Sequence, residues 1–269
     1  MDITEHYPFS VDAKEFAGKR VLVTGGTKGL GATMVRRFLL SGATVAITAR
    51  SPAADTPASV MFVPADLATA SGAQTVVEHI KKEWGGVDIL VNNAGAADPP
   101  GGGFDAISDE MWLNMVNVNL MSAVRLDRAL VPGMIARGGG AVIHIGTLYL
   151  SLPQSDSALS YSAAKAALRA YSKGLSKAVA PHGVRVNMVS PGFIETEGAY
   201  EWIIDIANKE GVSPDEARKL IMTRFGGIPV GRTGRPAEIA ELVAFLASDR
   251  GGFVCGVDYL VDGGALPTV

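Results

Sequence analysis

The sequence has a single cysteine, Cys255, among 269 residues. No disulfide can form within the chain, which suits a reducing compartment, and a cytoplasmic location is expected. Histidines are also sparse. His6, His79, His144 and His182 stand far apart, no C-x-x-C occurs, and no metal site is expected. Charged residues make up only 19%, with a formal net charge of −3 and no Lys/Arg run, so a nucleic-acid partner is not expected either. Long apolar runs are missing as well. Stretches such as 141–145 and 242–247 are far too short to cross a bilayer, and residues 1–19 lack the apolar core of a secretory signal.

What remains is 48% hydrophobic and strongly patterned. Short β-branched runs at 20–24, 44–49, 60–64, 89–92, 141–145, 185–189 and 259–261 alternate with stretches of helical periodicity. The helical stretches are 31–41, 71–84, 109–131, 161–180 and 236–247. Strands that read as continuous apolar runs are buried on both faces, so the alternation predicts an α/β fold. The expected form is a doubly wound parallel sheet of about seven strands with helices on both faces, Rossmann-like. The stretch between Arg50 and Val60 holds two prolines and reads as a loop. No linker interrupts the chain, so 1–269 is read as one dinucleotide-binding and catalytic domain. Within it, 193–229 carries two helices, roughly 199–209 and 214–225, and is a candidate lid at the sheet's C-terminal edge.

The first strand runs directly into Gly25-Gly26-Thr27-Lys28-Gly29-Leu30-Gly31 and then into a helical pattern. Glycine there lets the backbone approach a ligand closely, and the following helix aims its N–H groups and positive dipole end at the turn. The combination suits a pyrophosphate. An NAD site usually offers a carboxylate at the end of the second strand. This chain has Ile47-Thr48-Ala49-Arg50-Ser51, with a base and no acid. Arg50 and Lys28 suit a ribose 2′-phosphate, which favours NADP(H) over NAD(H).

Tyr161 and Lys165 stand four apart in a helix-forming stretch, so their side chains share a face. A phenol titrates near 10 in water, too high for efficient proton transfer at neutral pH. An ammonium nearby is expected to lower that value. Taken alone the pair is a common helical spacing, equally suited to a packed tyrosine beside a solvated lysine.

With these residues in company, the chain resembles the short-chain dehydrogenases/reductases of the single-domain type. The resemblance runs from Gly18-Lys19 to Val261-Asp262-Gly263-Gly264. The turn Thr24-Gly25-x-x-x-Gly29-x-Gly31, including Thr27, Lys28 and Leu30, matches the family's cofactor loop. Asp66-Leu67 matches the pair beside adenine, and Asn92-Asn93-Ala94-Gly95 the motif that supports the sheet and flanks the cofactor. Asn119 matches the asparagine of the proton relay. Pro191, Gly192, Ile194 and Thr196 match the segment covering the nicotinamide. Where the family commonly reads N-I-S-S, this chain reads His144-Ile145-Gly146-Thr147, so Thr147 stands in for the usual serine, with Ser151 ranked second. Threonine keeps the hydroxyl but adds a methyl group and a stiffer χ1.

The resemblance implies hydride transfer between NADP(H) and a carbonyl or secondary alcohol. Tyr161 would exchange the proton, Thr147 bind the substrate oxygen, Lys165 hold the nicotinamide ribose, and Asn119 anchor a relay water. Leu148, Tyr149, Leu150, Phe193, Tyr200, Trp202 and Ile203, with loop 97–103 at the mouth, suggest a moderately apolar substrate. Similar proteins assemble as dimers or tetramers through helices matching 109–131 and 161–180, and a homo-oligomer is expected. The alternative is a sensor or scaffold that binds a dinucleotide without turnover. An enoyl reductase is disfavoured, since the related reductases space tyrosine and lysine more widely.

Overall fold

A computed structural model of the protein describes residues 7–54, 56–97, 103–153, 158–224 and 226–267. Strands β1 (Arg20–Thr24), β2 (Thr44–Ala49), β3 (Met61–Pro64), β4 (Ile89–Asn92), β5 (Gly140–Ile145), β6 (Val184–Pro191) and β7 (Asp258–Val261) form one sheet in the order β3-β2-β1-β4-β5-β6-β7. Every neighbouring pair is parallel. The crossovers between strands are helices: α1 (Gly29–Leu40), α2 (Ala70–Trp84), α3 (Asp109–Val116), α4 (Ser122–Ala136), α5 (Leu159–Val179), α6 (Glu197–Glu210), α7 (Pro214–Arg224) and α8 (Pro236–Ala247). Between Ala49 and Met61 the described residues form no helix, in keeping with the two prolines there.

Alternation along the strands explains the three layers. Val21, Val23, Ile89, Val91, Ile143 and Ile145 pack on one face with Met34, Phe38 and Val243 from α1 and α8. The intervening Leu22, Leu90 and Val142 pack on the other face with Val76, Leu126 and Leu130 from α2 and α4. Both faces of a parallel sheet are thereby closed to water. Local chemistry sets the helix ends. Thr69 accepts a hydrogen bond from Gly72 N at the start of α2, which ends on Gly85 with φ 70°. The N-terminal segment is tied down by Arg37 of α1, 2% exposed, which bonds Glu15 and Glu241, each at 2.6 Å.

One helix departs from the expected form. The periodic stretch 109–131 is not a single α-helix. A π-helical turn at Asn117–Met121 separates α3 from α4. Such turns accommodate one extra residue and are common at functional sites.

The strand order reverses direction between β1 and β4, the point at which α/β folds of this kind bind their ligands. The loops after β1, β2, β3, β4, β5 and β6 all leave the same edge of the sheet. They carry Gly25, Arg50, Asp66, Asn93, Thr147 and Gly192.

Candidate active site

The glycine turn is built for close approach. Gly25 and Gly29 adopt left-handed φ values of 65° and 55°. A Cβ on Gly31 would lie 2.0 Å from Gly25 O and 2.7 Å from Asn93 Nδ2, so only glycine lets α1 seat against the turn. No side chain caps the start of α1, and its first turn has no acid, which leaves the positive end of the helix to an anion. The ends of β1 and β4 are laced together beside it. Asn93 N and Ala94 N donate to Thr24 Oγ1 at 2.9 and 2.8 Å, and Asn93 Nδ2 donates to Thr24 O at 2.8 Å. Leu30 and Thr27 are half-buried along this turn.

The Arg50 and Lys28 side chains are exposed, and neither forms an ion pair or hydrogen bond with the described residues. Asp66 turns its carboxylate inward on its own loop, accepting from Ala68 N at 3.0 Å, while Leu67 is buried. Arg125 of α4 holds this loop. It donates to the carbonyls of Leu67 and Ala68 at 3.3 and 3.0 Å, and to Asn117 Oδ1 at 2.7 Å. Sequence reasoning missed Arg125. Nothing sets it apart in the opening of α4, Ser122-Ala123-Val124-Arg125-Leu126-Asp127-Arg128, which carries a second arginine and an acid.

Tyr161 and Lys165 lie one turn apart on α5, as their spacing predicts. The Thr147 hydroxyl lies beside the Tyr161 phenol, and the Tyr149 ring meets the Tyr161 ring edge-on with centroids 6.4 Å apart. Thr147 also accepts from Tyr149 N at 3.3 Å, which caps the short turn Leu148–Leu150 and fixes the rotamer of its hydroxyl. The step before it is closely enclosed by side chains. A Cβ at Gly146 would meet Ser190 Oγ at 2.4 Å. Ser151 is elsewhere: it is exposed and accepts from Arg169 at 3.2 Å, so Thr147 alone takes the serine's place.

The electrostatics correct one expectation. Burial pushes the Tyr161 phenol up to about 12, with the nearby Thr147 hydroxyl opposing the rise and Tyr149 adding to it. Burial also pushes Lys165 down to about 8. The Lys165 ammonium is spent on Ile145 O, to which Nζ donates at 2.7 Å, and loss of hydration outweighs any help it gives the phenolate.

Asn119 sits in the π-helical turn. Its Nδ2 donates to Ala96 O at 2.9 Å and Met115 O at 3.1 Å, and its Oδ1 accepts from Ala96 N at 3.2 Å. Asn119 and Lys165 converge on Gly95: a Cβ there would lie 2.8 Å from Asn119 Oδ1 and 3.2 Å from Lys165 Nζ. The motif after β4 thus ends in a bare backbone surface with a carboxamide and an ammonium on it.

Pro191-Gly192 close β6 against the chain beyond β7, with room for no side chain at Gly192, where a Cβ would be 2.7 Å from Asp262 Cα. Ile194 bridges to Gly234, and Thr196 caps α6 by accepting from Ala199 N at 3.3 Å. A Cβ at Gly29 would stand 3.5 Å from Thr196, so this segment reaches across to the glycine turn. Glu195 anchors it, accepting from Arg218 at 2.7 and 2.9 Å and from Thr233 Oγ1 at 2.6 Å.

The apolar residues expected to face substrate divide. Leu148, Leu150 and Ile203 are interior, at 2%, 7% and 0% exposure, because they pack α5, α6 and the 148–150 turn together. Tyr149, Phe193, Tyr200 and Trp202 stay at least partly exposed, and Phe193 meets Trp202 edge-on at 5.8 Å. Residues 98–102 of the expected pocket mouth, and Phe225 at the end of the second helix, lie outside the described residues. Among the described residues no three His, Cys, Asp or Glu side chains gather as a metal site, and no helix is long and apolar enough to cross a membrane.

The site has clear counterparts. The family model described as enoyl-(acyl carrier protein) reductase matches residues 25–265. The 3-oxoacyl-(acyl-carrier-protein) reductase FabG of Haemophilus influenzae is 34% identical over 253 residues, covering 92% of this chain and 98% of that protein. The L-fucose dehydrogenase of Mus musculus is 34% identical over 255 residues, covering 93% and 89%. Among solved structures, L-sorbose reductase from Gluconobacter frateurii, complexed with NADPH and L-sorbose, superposes with a TM-score of 0.87 at 32% identity, covering 96% of this chain and all of that one. With its seven-stranded parallel sheet and these relatives, the chain belongs to the short-chain dehydrogenase/reductase family and is an NAD(P)-dependent oxidoreductase acting on carbonyl and CH–OH groups.

Proposed function

We propose that the protein is an NADP(H)-dependent carbonyl reductase or alcohol dehydrogenase in which Tyr161, assisted by Thr147, Lys165 and Asn119, handles the proton. The observation that carries this reading is the convergence of Lys165 Nζ and Asn119 Oδ1 on the bare backbone of Gly95, with Tyr161 one turn before Lys165 on the same helix and the Thr147 hydroxyl beside its phenol. The dinucleotide fits the residues present. Its pyrophosphate matches the uncapped start of α1, and Gly25, Gly29 and Gly31 leave it space. Bound there, the nicotinamide supplies or accepts the hydride. Tyr161 gives the proton to the carbonyl oxygen, and Thr147 holds that oxygen. Burial favours the protonated phenol, the form that donates. Asn93, Ala94, Gly95, Pro191, Gly192, Ile194 and Thr196 flank and cover the ring, and residues 193–229 act as the lid.

Arg50 and Lys28 take the 2′-phosphate. The sorbose reductase with NADPH bound supports that preference. A charge-assisted hydrogen bond is worth about 1.5–3 kcal/mol, so Arg50→Ala should weaken NADPH binding roughly tenfold to a hundredfold and leave NADH binding little changed. Equal losses for both cofactors, by titration or KM, would remove Arg50 from the phosphate. The substrate is a moderately apolar ketone or secondary alcohol, in keeping with Tyr149, Phe193 and Trp202 at the surface near the lid. A ketone panel with NADPH, followed by loss of absorbance, tests the activity, and absence of turnover across the panel counts against it.

The chain is further proposed to be a cytoplasmic homo-oligomer. Phe253 is fully exposed, and Leu113 and Phe104 are 62% and 77% exposed, apolar surface that a second copy would cover.

A further inference from the structure

Behind the reacting residues lies a buried polar cluster that none of the roles above uses. Asp127 of α4 is 1% exposed and His144 of β5 is 0% exposed. Asp127 Oδ2 and His144 Nε2 are 2.9 Å apart, and His144 Nδ1 meets Ser172 Oγ of α5 at 2.9 Å. Asn92 Nδ2 of β4 donates to Asp127 Oδ1 at 2.8 Å, and Tyr171 of α5 meets the His144 ring edge-on with centroids 5.9 Å apart, its hydroxyl close enough to Asp127 for the carboxylate to hold its proton on. The strand register makes Asn92 and His144 direct neighbours on one face of the sheet. The alignment of Asp127, His144 and Ser172 is that of a nucleophilic triad, but Ser172 is 4% exposed and no acyl group can reach it.

We infer that the Asp127–His144 pair is a positioning device for the proton-handling residues. Every element tied to this carboxylate carries one of them, or its support, at the catalytic edge. β4 leads into Asn93 and Gly95. In β5, His144 precedes Ile145, whose carbonyl holds Lys165 Nζ. On α5, Ser172 lies about two turns beyond Lys165, and on α4, Asp127 lies about two turns beyond Asn119. An apolar contact between these elements would tolerate sliding. A buried carboxylate does not, because each of its donors has a fixed direction and a lost donor leaves charge unsatisfied. The cluster therefore sets how α4 and α5 sit against β4 and β5, and with that the approach of Asn119 and Lys165 to Gly95.

The inference rests on the assignment of Tyr161, Lys165 and Asn119 as the reacting group, and the test separates the two. Asp127→Asn keeps the shape and removes the charge. With a ketone the unaltered protein reduces, this variant should lose roughly tenfold to a hundredfold in kcat while the KM for NADPH changes little, and its Tm should fall because one buried acceptor becomes a donor. Tyr171→Phe, which removes a neighbouring hydroxyl, should move the same parameters less far. Combined with Tyr161→Phe, Asp127→Asn should add almost nothing, since both act on one proton transfer. Unchanged kcat in folded Asp127→Asn, or a full additive loss in the double variant, overturns the inference while leaving the site assignment intact. Should Asp127→Asn not fold, Tyr171→Phe and Ser172→Ala decide on the same criteria. Near-normal turnover by Tyr161→Phe alone would instead overturn the site assignment.

Discussion

Tyr161→Phe is expected to lower kcat by about 10²–10⁴-fold, the range for loss of a general acid–base group, with NADPH bound as tightly as before. The change removes one oxygen and leaves the ring, so the edge-on contact with Tyr149 is kept and packing cannot account for the loss. What disappears is the hydroxyl beside Thr147, and with it the proposed proton donor. Thr147 would then hold the carbonyl oxygen with no acid beside it. Single-turnover rates with saturating NADPH separate this from product release. Turnover within a fewfold of the unaltered protein would place the proton donor elsewhere.

The second large effect is expected at Gly31. A methyl group there would overlap Gly25 O at 2.0 Å and crowd Asn93 Nδ2 at 2.7 Å. Neither neighbour is a free side-chain end: one is backbone, and the other already donates to Thr24 O and Gly25 O. Gly31→Ala must therefore lift α1 away from the turn that cradles the pyrophosphate. Overpacking costs about 1–3 kcal/mol, and if even half of it falls on cofactor binding the affinity drops several-fold to tenfold. Titration of NADPH and NADH should show both weakened alike, in contrast to Arg50→Ala, and thermal melts should show the cofactor stabilising the variant less. Undiminished binding of both would mean that the turn relaxes at no cost.

Sequence periodicity located the strands well because each is short, apolar and bounded by glycine or a polar residue. β1, β2 and β4 fall where the runs predict them, and β3 and β7 differ by one residue. The π-helical turn was not legible, since Asn117-Val118-Asn119-Leu120-Met121 suits an ordinary helix and only the tertiary pull on Asn119 distinguishes it. Leu148, Leu150 and Ile203 were misread as pocket residues for a related reason: an apolar residue near a site packs the lid as readily as it lines the cavity. The side chains proposed to handle the proton were legible as neighbours because several motifs point to one edge of the sheet. The charge balance of Tyr161 was not, because it depends on how completely water is excluded. His144 was visible only as one scattered histidine. Its place inside an otherwise apolar strand was a signal, since a buried imidazole in such a strand demands a partner.

The wide turn at Asn117–Met121 makes the length of this helical stretch a functional quantity. Each helical residue advances the chain by about 100°. In an ordinary helix one extra residue would swing everything beyond it around the axis by that angle. The wide turn absorbs it, so Arg125 still reaches the carbonyls of Leu67 and Ala68, and Asp127 still reaches His144. Deleting one residue there would restore regular winding and keep those contacts, and the loss would fall on Asn119 and its bonds to Ala96. The length of this stretch therefore acts on Asn119 and spares the cofactor loop and the buried pair.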